Sequence, residues 1–166
     1  LLTSLTTLSA CGGGSPSAST PDTPATSTGN ELKVSGTQIT TATGQVFLPR
    51  GINLQYGDNP AAALPAISAI GQTGANIVRL QLRETTTAAE LKSALDNIVA
   101  ANMLAMPMLW EEDITCQADA SRLTQAVQTL WLTRWKDVLL DSHYSGKILL
   151  NIANEWGSSS DLEIGR

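Results

Sequence analysis

Ile77-Val78-Arg79-Leu80-Gln81-Leu82 reads as a β-strand, set off by Gly74 before it. Successive side chains of a strand point to opposite faces, so Val78, Leu80 and Leu82 share one face, and Arg79 and Gln81 share the other with Ile77. The first face is fully apolar and asks for a cover of helices. The second carries a guanidinium, and a buried unpaired charge is costly enough that Arg79 is expected to meet an anion. The lumen of a parallel barrel, near the C-terminal ends of its strands, provides such a place.

Outward from this strand the pattern alternates. On its N-terminal side, Ala61 to Gly71 places Ala63, Leu64, Ile67 and Ile70 at helical spacing. Before that, the β-type runs Leu32 to Ile39 and Gln45 to Leu48 are separated by Thr-Ala-Thr-Gly. They predict a small hairpin leading into a first core strand that reaches Asn53. On the C-terminal side, Thr87 with Glu90 three residues on forms a capping box for a helix over Ala88 to Ala101, with Leu91, Leu95, Ile98 and Val99 as its stripe. Leu104 to Leu109 is the next strand. A helix from about Ala120 to Leu140 follows, with Leu123, Val127, Leu130, Trp131 and Val138 inward, and Lys147 to Ala153 is a fourth strand. Strict alternation means parallel strands joined by crossovers. A doubly wound sheet and a (β/α)8 barrel both fit that order. No Gly-rich phosphate fingerprint follows the first strand, and the polar face of Ile77 to Leu82 favours the barrel. The expected fold is the N-terminal half of a (β/α)8 TIM barrel preceded by a short hairpin.

The 166 residues are 42% hydrophobic and 15% charged, enough for one domain with a core, and the net charge of −5 argues against nucleic acid or anionic headgroups as partners. The two cysteines, Cys11 and Cys116, imply no disulfide framework, and no metal-ligand spacing appears, so neither a metal nor another cofactor is expected. His143 lies in a loop-like Asp-Ser-His-Tyr-Ser-Gly, where a solvated histidine is expected.

The chemistry concentrates where the fourth strand ends, in Ile152-Ala-Asn-Glu-Trp-Gly157. By strand parity Leu149, Asn151, Ala153 and Glu155 share a face, which puts Glu155 at the C-terminal rim. Glycoside cleavage needs one carboxyl that protonates the leaving oxygen and a second carboxylate across the bond. An amide beside the acid can hold sugar hydroxyls, and an indole face can stack on a sugar ring. Asn154 and Trp156 flank Glu155 in that sense.

This run after a β-strand, Arg79 in Gly74-Ala-Asn-Ile-Val-Arg79, and Arg50-Gly-Ile-Asn53 after the hairpin together resemble glycoside hydrolase family 5, its endo-β-mannanases in particular. The resemblance covers roughly Leu32 to Gly157. It implies a retaining, monomeric hydrolase of β-linked polysaccharides, with Glu155 as acid/base, Asn154 holding the sugar 2-hydroxyl, and Arg79 beneath the nucleophilic carboxylate. Asn53 and Trp110 are candidate substrate contacts. The family often has a histidine where this chain reads Leu109-Trp-Glu-Glu-Asp113; Trp110 then offers a stacking platform and Glu111 a polar replacement. The nucleophile is expected from a seventh strand outside the chain, so these residues alone should not catalyse. A cellulase of the same family and a non-catalytic glycan-binding lipoprotein are the alternatives, separated by whether that glutamate exists.

The chain opens with an uncharged apolar stretch running into Leu8-Ser-Ala-Cys11, which resembles a lipobox that ends a signal peptide over residues 1–11. Residues 12–30 are mostly Gly, Ser, Thr, Pro and Ala, too apolar-poor to offset ordering entropy, and read as a tether. The catalytic segment is then residues 31–166, and the expected address is the bacterial cell envelope, reached through a lipid anchor on Cys11, or secretion outright. Metabolic labelling with a palmitate analogue should mark the protein and lose its signal in Cys11→Ala.

Overall fold

The computed structural model describes residues 31–158; the expected lipobox at Cys11, the expected tether and the last residues of the expected catalytic segment lie outside the described residues. Strands β1 (Lys33–Ser35) and β2 (Gln38–Thr40) pair antiparallel. This hairpin turns inside the first β-type run rather than between the two runs. Gly36, at φ +59°, supplies the left-handed residue the tight turn needs. The Thr-Ala-Thr-Gly turn also forms, but Val46 makes only a single bridge back to Thr40.

Strands β3 (Gly51–Leu54), β4 (Ile77–Leu82) and β5 (Leu104–Leu109) form one parallel sheet in that order. Val78, Leu80 and Leu82 are all wholly buried, as their parity requires. Between β3 and β4 the expected single helix is two short ones, α1 (Pro60–Ala63) and α2 (Ala66–Gln72). Pro65 divides them because its nitrogen has no hydrogen to continue the helical ladder. Asn59 caps α1, its Oδ1 accepting from the Ala62 amide at 3.1 Å. Ile67 and Ile70 of α2 are buried.

Helix α3 (Ala88–Ala100) starts on the expected capping box: the Glu90 amide donates to Thr87 Oγ1 at 3.2 Å, and the Thr87 amide donates to Glu90 Oε2 at 2.8 Å. Leu91, Ala94, Leu95 and Ile98 are buried against the β4 face, while Val99 lies half-buried at the edge of the stripe. Behind α3, the Tyr144 hydroxyl donates to Asp96 Oδ1 at 2.6 Å. Burial first, then that carboxylate, pushes the Tyr144 phenol up to about 12. Asp96 is held below the ordinary carboxylate range, chiefly by its bond from Lys92 and next by Tyr144. The neighbouring His143 is exposed, its ring edge-on to Tyr144.

After β5, the stretch expected as one helix is α4 (Ala120–Ala126), a π-helical segment Val127–Arg134, and α5 (Lys136–Leu139). The wider winding shows in the Trp135 amide, which donates five residues back to the Leu130 carbonyl at 2.8 Å. Leu130 and Trp131 are buried as expected; Leu123, Val127 and Val138 are only half-buried, and Trp135 is wholly buried.

The fourth strand departs most from expectation. Residues 147–153 run extended beside β5, but they form only two parallel bridges, Ala105 with Ile148 and Met108 with Asn151. The Ala105 amide donates to Lys147, Leu149 donates to Ala105, and Asn151 donates to Pro107. The next donor in this ladder falls on Pro107, which has no N–H, so the ladder is cut in its middle. The outward Leu150 and Ile152 remain exposed.

Truncating the fully buried Leu95 to alanine should cost about 2–5 kcal/mol, and Thr87→Ala about 1 kcal/mol through the lost cap. Urea unfolding midpoints should fall in that order, with unchanged slopes.

Candidate active site

Parallel register aligns side chains across the sheet, so Asn53 of β3, Arg79 of β4 and Met106 of β5 stand in one row on its inner face. One step towards the C-terminal ends, Gln81, Met108 and Asn151 form a second row. Arg79 reaches between them. Its Nε and Nη2 donate to Asn151 Oδ1 at 3.2 and 2.9 Å, and Nη2 donates to Asn154 Oδ1 at 3.0 Å. The Asn151 amide nitrogen donates to the Ala153 carbonyl at 3.1 Å, which leaves its oxygen turned to Arg79. The expected anion is therefore not what Arg79 meets among the described residues. The guanidinium is half-buried, keeps part of its hydration, and two neutral amide oxygens satisfy its fork.

Strand parity holds as far as Asn151 and then ends. The chain bends from Ala153 to Glu155, the Asn154 amide donates to the Leu109 carbonyl at 2.8 Å, and Glu155 has a left-handed φ of +40°. Asn154, 8% exposed, is the side chain that turns in to Arg79, although parity had put Glu155 rather than Asn154 on the inner face. Glu155 is exposed and reaches the same cleft from the bend. Its carbonyl accepts from the Cys116 amide at 2.9 Å, and its Oε2 lies 3.7 Å from the Cys116 thiol. Thr115 and Trp156 make an antiparallel bridge beside them, so the loop after β5 holds the bend in place.

A cleft of about 730 Å³ opens at this rim, and Asn53, Arg79, Gln81, Trp110, Asn154 and Glu155 line it. The structure thus brings together Glu155, Arg79, Asn154, Trp110 and Asn53. Trp110 is half-buried at the rim, its amide donating to the Leu82 carbonyl at 3.0 Å. Glu111 does not join the cleft as the expected polar replacement. Its Oε1 accepts from the Glu84 amide at 2.7 Å, and its Oε2 lies 3.5 Å from Arg83. Outside the cleft, Arg122 bonds Asp113 and Glu84, which keep its guanidinium protonated above the ordinary arginine range, Asp113 contributing most.

The π-helical segment supports the rim from behind. Trp131 donates through Nε1 to the Ile152 carbonyl at 3.1 Å, just before the bend. Trp135 donates to the Thr86 carbonyl at 3.0 Å in the loop before α3, and the two rings meet edge to face at 4.9 Å. Gln81 was visible from its parity with Arg79. Asn151 was visible as an inward residue but not as the partner of Arg79. Cys116 gave no signal, because its contact joins two loops 39 residues apart. Among the described residues Glu155 is the one carboxylate lining the cleft, so this arrangement can supply one acid/base group, amide donors and an indole face.

Over 133 residues the chain is 31% identical to the mannan endo-1,4-beta-mannosidase of Salipaludibacillus agaradhaerens, a match that covers 77% of this chain and 41% of that protein. The chain spans about two fifths of the length of this curated relative. The fold matches the mannohexaose complex of the Thermomonospora fusca β-mannanase with a TM-score of 0.67 at 23% identity, over 82% of this chain and 46% of that one. It also matches a thermostable, halotolerant GH5 cellulase from an Icelandic hot spring isolate, with a TM-score of 0.57 at 16% identity, over 76% of this chain and 40% of that one. No protein-family model matches the chain. The fold is a partial (β/α)8 barrel, and over the part of that barrel it contains the chain is similar to β-mannanases.

Arg79→Met should lower stability by about 1–3 kcal/mol, because it leaves the oxygens of Asn151 and Asn154 without their donor. Chemical denaturation at neutral pH measures this directly.

Proposed function

We propose that the protein containing this chain is a retaining endo-β-mannanase that cleaves β-1,4-mannan or glucomannan, with Glu155 as its acid/base. The observation that carries the reading is one cleft at the C-terminal ends of parallel strands, where Glu155 stands beside an Asn154 fixed by Arg79. The mannanase relationship supports the substrate class. In this reading Glu155 protonates the leaving oxygen and then deprotonates the water that ends the reaction. Asn154 holds the 2-hydroxyl of the sugar, whose contact strengthens as positive charge develops at the ring. Arg79 lies beneath the incoming nucleophile, a carboxylate about 5–5.5 Å from Glu155 in the retaining geometry, and favours its ionised form by charge and hydrogen bonding. Asn53 and Trp110 contact further sugars.

The reaction needs no cofactor, and the enzyme acts as a monomer on an uncharged polymer. A lipid on Cys11 and the tether over residues 12–30 hold it at the bacterial envelope. The structural match to a GH5 cellulase supports β-1,4-glucan as the second substrate to examine.

In the complete protein, Glu155→Gln should lower kcat on mannan by at least about 10²–10⁴-fold while the protein remains folded. Near-normal turnover by that variant would refute the assignment. Equal turnover of cellulose and mannan by the unaltered protein would move the substrate to glucan and leave the role of Glu155 standing.

A further inference from the structure

Three loops meet at one guanidinium on the rim. Arg83, the first residue after β4, has its Nε 2.6 Å from Asp58 Oδ1 in the loop after β3. Its Nη1 donates to the Trp110 carbonyl at 3.4 Å and lies 3.5 Å from Glu111 Oε2, both in the loop after β5. Its Cζ stands 3.9 Å from the centroid of the Trp110 ring. The loop after β3 comes this close because residue 57 is glycine. A Cβ there would lie 2.5 Å from the Arg83 nitrogen and 2.8 Å from its Cγ.

An indole has two faces, and here they are in different circumstances. The Arg83 guanidinium covers one, tied to Asp58 and to the backbone carbonyl of Trp110. Trp110 lines the cleft together with Glu155 and Asn154 and Arg83 does not, so the guanidinium leaves the indole accessible from the cleft. We infer that Arg83 is a positioning residue that fixes Trp110 as a one-sided stacking platform for the apolar face of a β-linked sugar. The inference rests on the proposed sugar contact of Trp110. A rotation of the ring, or stacking of a sugar on its other face, has to displace the guanidinium and break its bond to Asp58. The planar fork matters as much as the charge, since an ammonium cannot lie flat on the ring and bond Asp58 and the Trp110 carbonyl together.

The test compares Arg83→Ala, Arg83→Lys, Trp110→Ala and Arg83→Ala/Trp110→Ala in the complete enzyme, with mannohexaose as the probe. The inference expects Arg83→Ala to raise KM about fivefold, the scale of one cation–π and loop-ordering contact, and to change kcat less than about twofold. Arg83→Lys should show most of that increase, and the double variant should be no worse than Trp110→Ala alone. A role confined to loop stability predicts losses that add in the double variant, or that Arg83→Lys repairs, and either result overturns the inference. If Trp110→Ala raises KM while Arg83→Ala does not, the inference falls and the proposed function stands. If Trp110→Ala itself leaves KM unchanged, the sugar contact of Trp110 and the role of Arg83 fall together. Unaltered protein that neither binds nor cleaves mannohexaose overturns the mannanase reading and this inference with it.

Discussion

The Arg79 guanidinium, shared between Asn151 and Asn154, is the contact on which the geometry of the rim depends. Pro107 cuts the backbone ladder between β5 and residues 147–153, so side chains have to supply part of what holds that segment to the sheet. Arg79 does this from the middle strand, with three donor contacts to two residues, one before the bend and one within it. The amide of Asn154 meets the end of β5, and the carbonyl of Glu155 meets Cys116. Glu155 therefore owes its position to a bend held at both ends rather than to the regular geometry of a strand. Its left-handed backbone is a strain that the surrounding contacts hold in place.

A second level of support lies behind the rim. Trp131 and Trp135 each satisfy an indole N–H on a loop carbonyl, one beside the bend and one before α3. The π-helical winding of Val127–Arg134 accompanies this double anchoring, and such windings often occur near functional sites. On the cleft side, Arg83 ties together the loops after β3, β4 and β5. The two arginines of the middle strand region thus divide the work: Arg79 orders the floor of the cleft and Arg83 orders one wall.

Much of the architecture was legible because it follows from local chemistry. The alternation in Ile77 to Leu82 gave the faces of β4 correctly, and Leu104 to Leu109 is a strand over the whole expected range. The capping box at Thr87 and Glu90 set the start of α3. Where the reading went astray, a single backbone feature was underweighted. Pro65 split a helix and Pro107 interrupted a ladder; Gly36 moved the hairpin turn into the first β-type run. The helix after β5 was legible in extent but not in winding, since Trp131 and Trp135 satisfy their donors on distant carbonyls.

By itself the sequence determined which segments alternate and which faces are apolar, and it singled out Arg79, Asn154, Glu155, Trp110 and Asn53, which the fold brings to one cleft. Those properties are short-range: they depend on side-chain type and on periods of two or about four residues. Only the tertiary structure decided that Arg79 bonds amides, that Asn154 rather than Glu155 takes the inward place, and that Glu111 turns away to brace a neighbouring loop. Each of these joins residues from separate elements, where hydrogen-bond geometry and the reach of a side chain select the partner. No periodicity along the chain encodes that choice.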